Sequence, residues 1–387
     1  MWIISILLVA CVASYGVVGW IIRSSATETL REATSDLTRN ETKSARDRLS
    51  WLLWFEPNNS EALLIEGLCL HMQNEFKASI AVLKTIPTTC PQFESAALVL
   101  ASSLIHEYQV DDAATVLQDC LARFPHADAA REELVGLYLN LLKRDEATEL
   151  LRQRLQLIPG DLSVLPGLLR IQVENDSAGE LWKYLSNVND HQPGQVEVVL
   201  ALARACVLAG RMREAADSFK EALRLRPGHL ETRISAAEFH MSRGDYAAAD
   251  ALLPHDTIEI NRARTDARYQ YVKARALVYS GELDRALEAL ADALERRPTE
   301  IEYLSFKSDV LRRIGRVAEA TKVSKFVGAL SFARRRLFLI EKELDVTRPD
   351  PKQCQEIAEL MDLLKNSVEA KLWREAALLN SGKRTNE

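Results

Sequence analysis

The residues able to do chemistry stand apart from one another along the chain. The seven histidines, His71, His106, His126, His191, His229, His240 and His255, fall at no metal-ligand spacing, and no HExxH occurs. His126 and His229 lie within two residues of turn prolines and read as solvated loop residues. The six cysteines, Cys11, Cys69, Cys90, Cys120, Cys206 and Cys354, contain no CxxC pair. That argues against a tetrahedral zinc site and against a disulfide framework. Cys69, Cys120 and Cys206 fall on helix-packing positions and read as small buried hydrophobes. No glycine-rich phosphate loop and no G-x-S-x-G turn is present. Carboxylates on the periodic segments are mostly within ion-pair reach of arginines, as Glu221 is of Arg224. The expectation is a chain without catalysis, cofactor, metal or small-molecule substrate. The charge balance, 49 Lys and Arg against 55 Asp and Glu for a net −6, lacks the basic excess of a nucleic-acid binder.

The elements that position these residues are visible in the prolines. Pro57, Pro91, Pro125, Pro159, Pro193 and Pro227 recur every 34 residues, and Pro298 rejoins the register after a three-residue insertion near residues 254–264. Twelve residues before these prolines, or at the equivalent sites, stand Ala45, Ser79, Ala113, Ala147, Leu181, Ala215, Ala249, Ala286 and Ala320. Four further on come Leu49, Leu83, Leu117, Leu151, Leu185, Phe219, Leu253, Leu290 and Ser324. Gly210, Gly244, Gly281 and Gly315 precede the small-residue column by five and end the preceding helix. Each unit therefore reads as a helical hairpin that buries its apolar stripe only by stacking on its neighbours.

A 34-residue helix–turn–helix with small–large–small positions before a turn proline resembles the tetratricopeptide repeat (TPR) family. The stretch from Gly210 through Ala215, Phe219 and Ala222 to Pro227 carries the resemblance most fully. The first helices depart from it: position 4 is Leu63, Ala97, Arg131 or Val199, and the small position 8 is Gly67, Ala101, Ala203, Ala237 or Ala274. The resemblance implies an all-α fold, a right-handed α-solenoid of about nine to ten hairpins. It also implies a concave groove lined by positions 2, 5, 9 and 12 of the first helices. Those positions include Arg170, Arg204, Glu238 and Arg275 in one row, with Arg268 and Tyr271 beside it. Such a row suits a carboxylate-bearing peptide; alternatively, Arg204 and Glu238 neutralise each other. The paired Lys and Asn of the family's chaperone-tail clamp are not found.

Trp2 to Ile22 contain no charge, and 21 residues at ~1.5 Å each span a bilayer core. The segment reads as a single-pass transmembrane anchor with Trp2 and Trp20 at its interfaces. A lipobox-like Leu8-Val9-Ala10-Cys11 and a cleaved signal peptide remain alternatives. Arg23, Arg31 and Arg39 follow the segment and no Lys or Arg precedes it, which favours a cytoplasmic body at a bacterial inner membrane. The expected organisation is residues 1–24 as anchor and 25–59 as a stalk with a degenerate first repeat. Residues 60–334 form the array, and 335–387 a long-helix extension with a capping repeat. Residues 27–37 look too polar for a packing helix and suit a stalk. The implied function is a membrane-tethered scaffold that binds a protein or peptide partner. An alternative is an envelope-assembly regulator: the layout resembles the lipopolysaccharide assembly protein B family, but lacks the paired CxxC motifs of that family's metal domain.

Overall fold

The computed structural model describes residues 25–158, 160–173, 178–254, 266–345 and 349–384. The expected anchor with Trp2 and Trp20, and most of the expected insertion near residues 254–264, lie outside them. Among the described residues every regular element is helical, and no helix is long and apolar enough to cross a membrane. The chain divides into two compact units, Met1–Leu137 with Val188–Gln195, and Tyr138–Asn187 with Val196–Glu387.

The first unit begins with a helix over 25–38 (α1), followed by α2 (Thr42–Phe55), α3 (Ser60–Met72), α4 (Phe76–Leu83), α5 (Phe93–His106) and α6 (Val110–Arg123). Residues 27–37, which in sequence look too polar to pack and suit a stalk, lie in this first helix and pack. Ala26, Leu30 and Ala33 share one face and are buried against Ala45, Leu49 and Leu52 of α2. Asp36 is also buried, and it accepts from Ser44 Oγ at 2.8 Å and Arg48 Nε at 2.6 Å. A window rich in Thr and Glu hides this stripe, because three apolar residues at the right spacing suffice to bury one face.

Next come α7 (Asp128–Asn140), α8 (Arg144–Leu157), α9 (Leu165–Val173) and α10 (Ala178–His191). The later helices are α11 (Val196–Leu208), α12 (Met212–Leu225), α13 (Leu230–Ser242), α14 (Tyr246–Leu252), α15 (Ala267–Tyr279), α16 (Leu283–Arg296), α17 (Ile301–Arg313), α18 (Val317–Glu343), α19 (Pro351–Leu363) and α20 (Ser367–Arg384).

The period has a direct conformational cause. Glu56, Phe124, Ile158, Arg226 and Arg297 each precede a turn proline and each end a second helix, at φ −120 to −144° and ψ 72 to 83°. A proline disfavours the α conformation in the residue before it, so the helix stops there. At the other turn the chain crosses into the left-handed region at Asn40, Asn74, Tyr108, Leu142, Gly210, Gly244, Gly281 and Gly315. The same column thus turns with and without glycine.

Between the two turns the helices cross at the small-residue column. Ala45, Ser79, Ala113, Ala147, Ala215, Ala249, Ala286 and Ala320 are wholly buried. Where serine replaces alanine it is satisfied across the crossing. Ser79 Oγ donates to the Gly67 carbonyl at 2.9 Å, and Ser308 Oγ to the Ala320 carbonyl at 3.1 Å. A Cβ at Gly67 would meet Leu83 at 2.4 Å, so this crossing is closed to alanine unless Leu83 moves.

Helix α18 runs unbroken through Gly328 for 27 residues. Asp350 then caps α19 by accepting from the Lys352 amide, with Pro351 at the first helical position. Within the second unit α18 and α20 pack back onto α9. Arg152 of α8 reaches the buried Glu369 of α20 at 2.9 Å, and Asn366 Nδ2 donates to Gln172 Oε1 at 3.4 Å.

Candidate functional site

The first helices α11, α13, α15 and α17 of the second unit present one face of each hairpin, and their side chains line a groove of about 620 Å³. Arg204, Glu238, Arg268, Tyr271 and Arg275 all line it. Arg170, the sixth residue expected there, is exposed on α9 and is not among the lining residues.

Arg204 and Glu238 do not pair with each other. Each reaches forward to position 2 of the following repeat. Arg204 Nη2 donates to Glu231 Oε1 at 2.7 Å and to Ser235 Oγ at 2.8 Å. Glu238 is gripped by Arg268 through both carboxylate oxygens, the Nε–Oε1 bond at 3.0 Å. Arg268 also donates to Ser235 Oγ at 2.8 Å, and that hydroxyl donates onward to the Glu231 carbonyl at 2.8 Å. Position 9 of one repeat and position 2 of the next thus carry opposite charges, and the pairs staple successive hairpins.

The electrostatics follow. Burial opposes the charge on Glu231, but Arg204, Lys143 and Arg268 outweigh it and hold the carboxyl below its ordinary range. Burial likewise opposes the charge on Arg268, and Glu238, Glu231 and Asp266 more than restore it. These two arginines are engaged inside the protein, which removes them from the row that sequence offered to a ligand.

Arg275 is placed differently. It donates to the Met241 carbonyl at 3.2 Å, lies over the Tyr271 ring at 5.8 Å, and has no ion-pair partner among the described residues. Glu302, at position 2 of the next repeat, instead accepts from Tyr271 Oη at 3.0 Å. Burial, then the Glu302 charge, raises the Tyr271 phenol well above its usual range, so it remains a donor. Tyr271 stacks on Tyr303 at 4.4 Å and meets Phe306 edge-on at 5.7 Å.

The groove continues into a neighbouring recess of about 440 Å³, lined by Tyr246, Tyr271, Arg275, Tyr279, Glu302, Phe306 and Arg313 among others. Tyr279 is 69% exposed and stacks on Tyr246 at 4.4 Å. Arg313 is exposed and also lacks an ion-pair partner among the described residues. Tyr279 and Arg313 occupy position 13 of their first helices, outside the four positions that the family resemblance supplied. The signal was available: position 13 is one helical turn beyond position 9, on the same face.

Among the described residues no cluster of His, Cys, Asp and Glu has the geometry of a metal site. The described cysteines are free thiols, with Cys69, Cys120, Cys206 and Cys354 buried and Cys90 half-buried. Burial pushes each of the four buried thiols up to about 11.

Comparison with known proteins bears on the repeats alone. Two family models described as tetratricopeptide repeat match residues 207–275 and 271–323. No curated protein matches the chain. Among solved structures, "MamA 41-end from Desulfovibrio magneticus RS-1" is 21% identical, with a TM-score of 0.33 over 43% of this chain and 93% of that one. "MamA AMB-1 C2221" is 19% identical, with a TM-score of 0.31 over 42% and 95%. The "APC/C hetero-tetramer Cut9-Hcn1" is 12% identical, with a TM-score of 0.39 over 91% and 90%. The two matching models together identify residues 207–323 as tetratricopeptide repeats, and the described helices on either side are hairpins of the same all-helical kind.

Proposed function

We propose that the chain is a membrane-tethered, non-catalytic scaffold whose second unit binds an acidic segment of a protein or peptide. The observation that carries this reading is the pairing of two cations without ion-pair partners, Arg275 and Arg313, with the exposed Tyr279–Tyr246 stack in one recess. Guanidinium groups grip carboxylates through two parallel hydrogen bonds, and tyrosine rings supply flat apolar surface beside them. Residues 2–22 supply the tether in this reading, and the arginines that follow them favour a body on the cytoplasmic side of a bacterial inner membrane.

Cross-linking in cells followed by mass spectrometry names the partner. Arg275→Glu with Arg313→Glu is then expected to weaken its binding to the purified chain by at least tenfold, since charged hydrogen bonds contribute about 1.5–3 kcal/mol each. Unchanged binding by this variant rejects the groove. Reporter fusions at the C-terminus, one active only outside the cytoplasm and one only inside, decide the side. Activity of the outside reporter rejects the cytoplasmic reading.

A further inference from the structure

The first unit carries an exposed aromatic pair that neither the array nor the groove uses. Trp54 is 76% exposed and Phe55 59%, at the C-terminal end of α2. Their rings meet edge-on at 4.6 Å, and the half-buried Trp51 joins them, 6.1 Å from Phe55. The side chains of Leu49 and Leu52 on the same helix are wholly buried. The apolar face that stacks the repeat is therefore already satisfied, and Trp54 and Phe55 lie off it.

Their position is set by the hairpin. Ser44 and Arg48 of α2 bond Asp36 of α1, and Arg48 also pairs with Glu32. This antiparallel register brings Phe55 level with the first residues of α1, around 25 and 26. Three chain steps, through Arg23 and Ser24, lead from Ile22, the last of the uncharged run, to residue 25. Even fully extended they reach no more than about 11 Å. The aromatic pair thus lies level with residues that follow the end of the apolar run by no more than about 11 Å of chain. The interfacial layer on each side of a bilayer core is about 5–8 Å deep, and indole rings concentrate there.

We infer that Trp54 and Phe55 dip into the lipid interface and seat the first repeat against the membrane. The inference rests on the reading of residues 2–22 as a membrane anchor. A second protein is a poorer occupant: two aromatic side chains offer about 300–500 Å² between them, against the roughly 1,200 Å² or more of a stable interface. Of the nearby carboxylates, Glu28 of α1 is paired with Arg31, and Glu56, next to Phe55, accepts from Asn59 Nδ2 at 2.8 Å. Holding the first hairpin at the interface fixes the direction in which the array leaves the membrane.

The test uses the full chain carrying Trp2→Phe and Trp20→Phe, reconstituted into phosphatidylcholine vesicles brominated near the headgroup end of the acyl chains. Retention of the chain on alkaline carbonate extraction and partial quenching of its tryptophan emission are expected. Adding Trp54→Phe, an exposed change that leaves the core intact, is expected to remove most of that quenching. Release by carbonate rejects the anchor and this inference with it. Retention without quenching, or with quenching that Trp54→Phe leaves unchanged, rejects this inference alone.

Discussion

At the scale of single residues, what a charged side chain does depends on whether it is already engaged. Arg204 and Arg275 both occupy position 9, two repeats apart, yet the first is held by Glu231 and Ser235 while the second meets the Met241 carbonyl and the Tyr271 ring and has no ion-pair partner among the described residues. Arg204→Ala is therefore expected to lower the stability of the second unit by about 1–3 kcal/mol, because it strips a partly buried carboxylate of its nearest partner. A denaturant titration of Arg204→Ala, Glu231→Gln and the double variant checks it, and the pair should couple by about 1 kcal/mol. The pH dependence has a definite sign. Glu231 has a folded pKa below its ordinary 4.5, so its contribution is complete above 4.5 and is lost as pH falls through the lower folded value. A thermal melting series between neutral pH and pH 3 should show that loss, and Glu231→Gln should flatten it. The thiols give a separate reading: Cys69, Cys120, Cys206 and Cys354 should resist iodoacetamide at neutral pH while the chain is folded, and Cys90 should react before them.

At the scale of the helix and turn, the repeat was legible because it is written in residues with strong local consequences. Prolines stop the second helices, and buried small residues set where two helices cross. Both effects act within a few residues and show in the period itself. The left-handed turn was only half legible. Gly210, Gly244, Gly281 and Gly315 announce it, but Asn40, Asn74, Tyr108 and Leu142 adopt the same conformation in the earlier repeats without glycine. Asparagine enters that region readily, but at Tyr108 and Leu142 the packing of the hairpin on both sides imposes a conformation that the residue itself disfavours. A left-handed L-residue costs about 1–2 kcal/mol, and glycine gives back about 0.4–1 kcal/mol through the freer unfolded chain. Leu142→Gly is thus expected to stabilise the protein by about 0.5–1 kcal/mol, measured as a shift of the urea midpoint at constant slope. The groove was legible in part for a related reason. A one-residue column reveals which positions share a face, so five of six expected residues meet. Which of them are consumed by partners one repeat away depends on side-chain reach across the stack, and no local pattern encodes that.

At the scale of the second unit, the repeats do more than stack in sequence. In a linear solenoid each hairpin touches only its neighbours, so an end repeat frays without disturbing the other end. Here α18 and α20 return to α9, and Arg152–Glu369 and Asn366–Gln172 link residues about 200 positions apart. Trp373 is buried, and with Leu162, Leu165, Pro166 and Ala376 it lines a small apolar recess at this contact. The last hairpin, through α20, therefore packs on α9 alongside α18, and it ties the stability of one end of the unit to the other. Removing residues 349–387 is expected to raise amide exchange in Leu165–Val173 by at least tenfold, a protection loss of about 1.4 kcal/mol or more. Helix α13, in the middle of the array, should change far less. Glu369→Ala separates the polar tie from the apolar cover: leaving Arg152 without its partner, it should raise exchange in α8 and α9 by a smaller factor. If deletion leaves Leu165–Val173 as protected as before, the unit behaves as a linear stack and the closing contact contributes nothing to its cohesion.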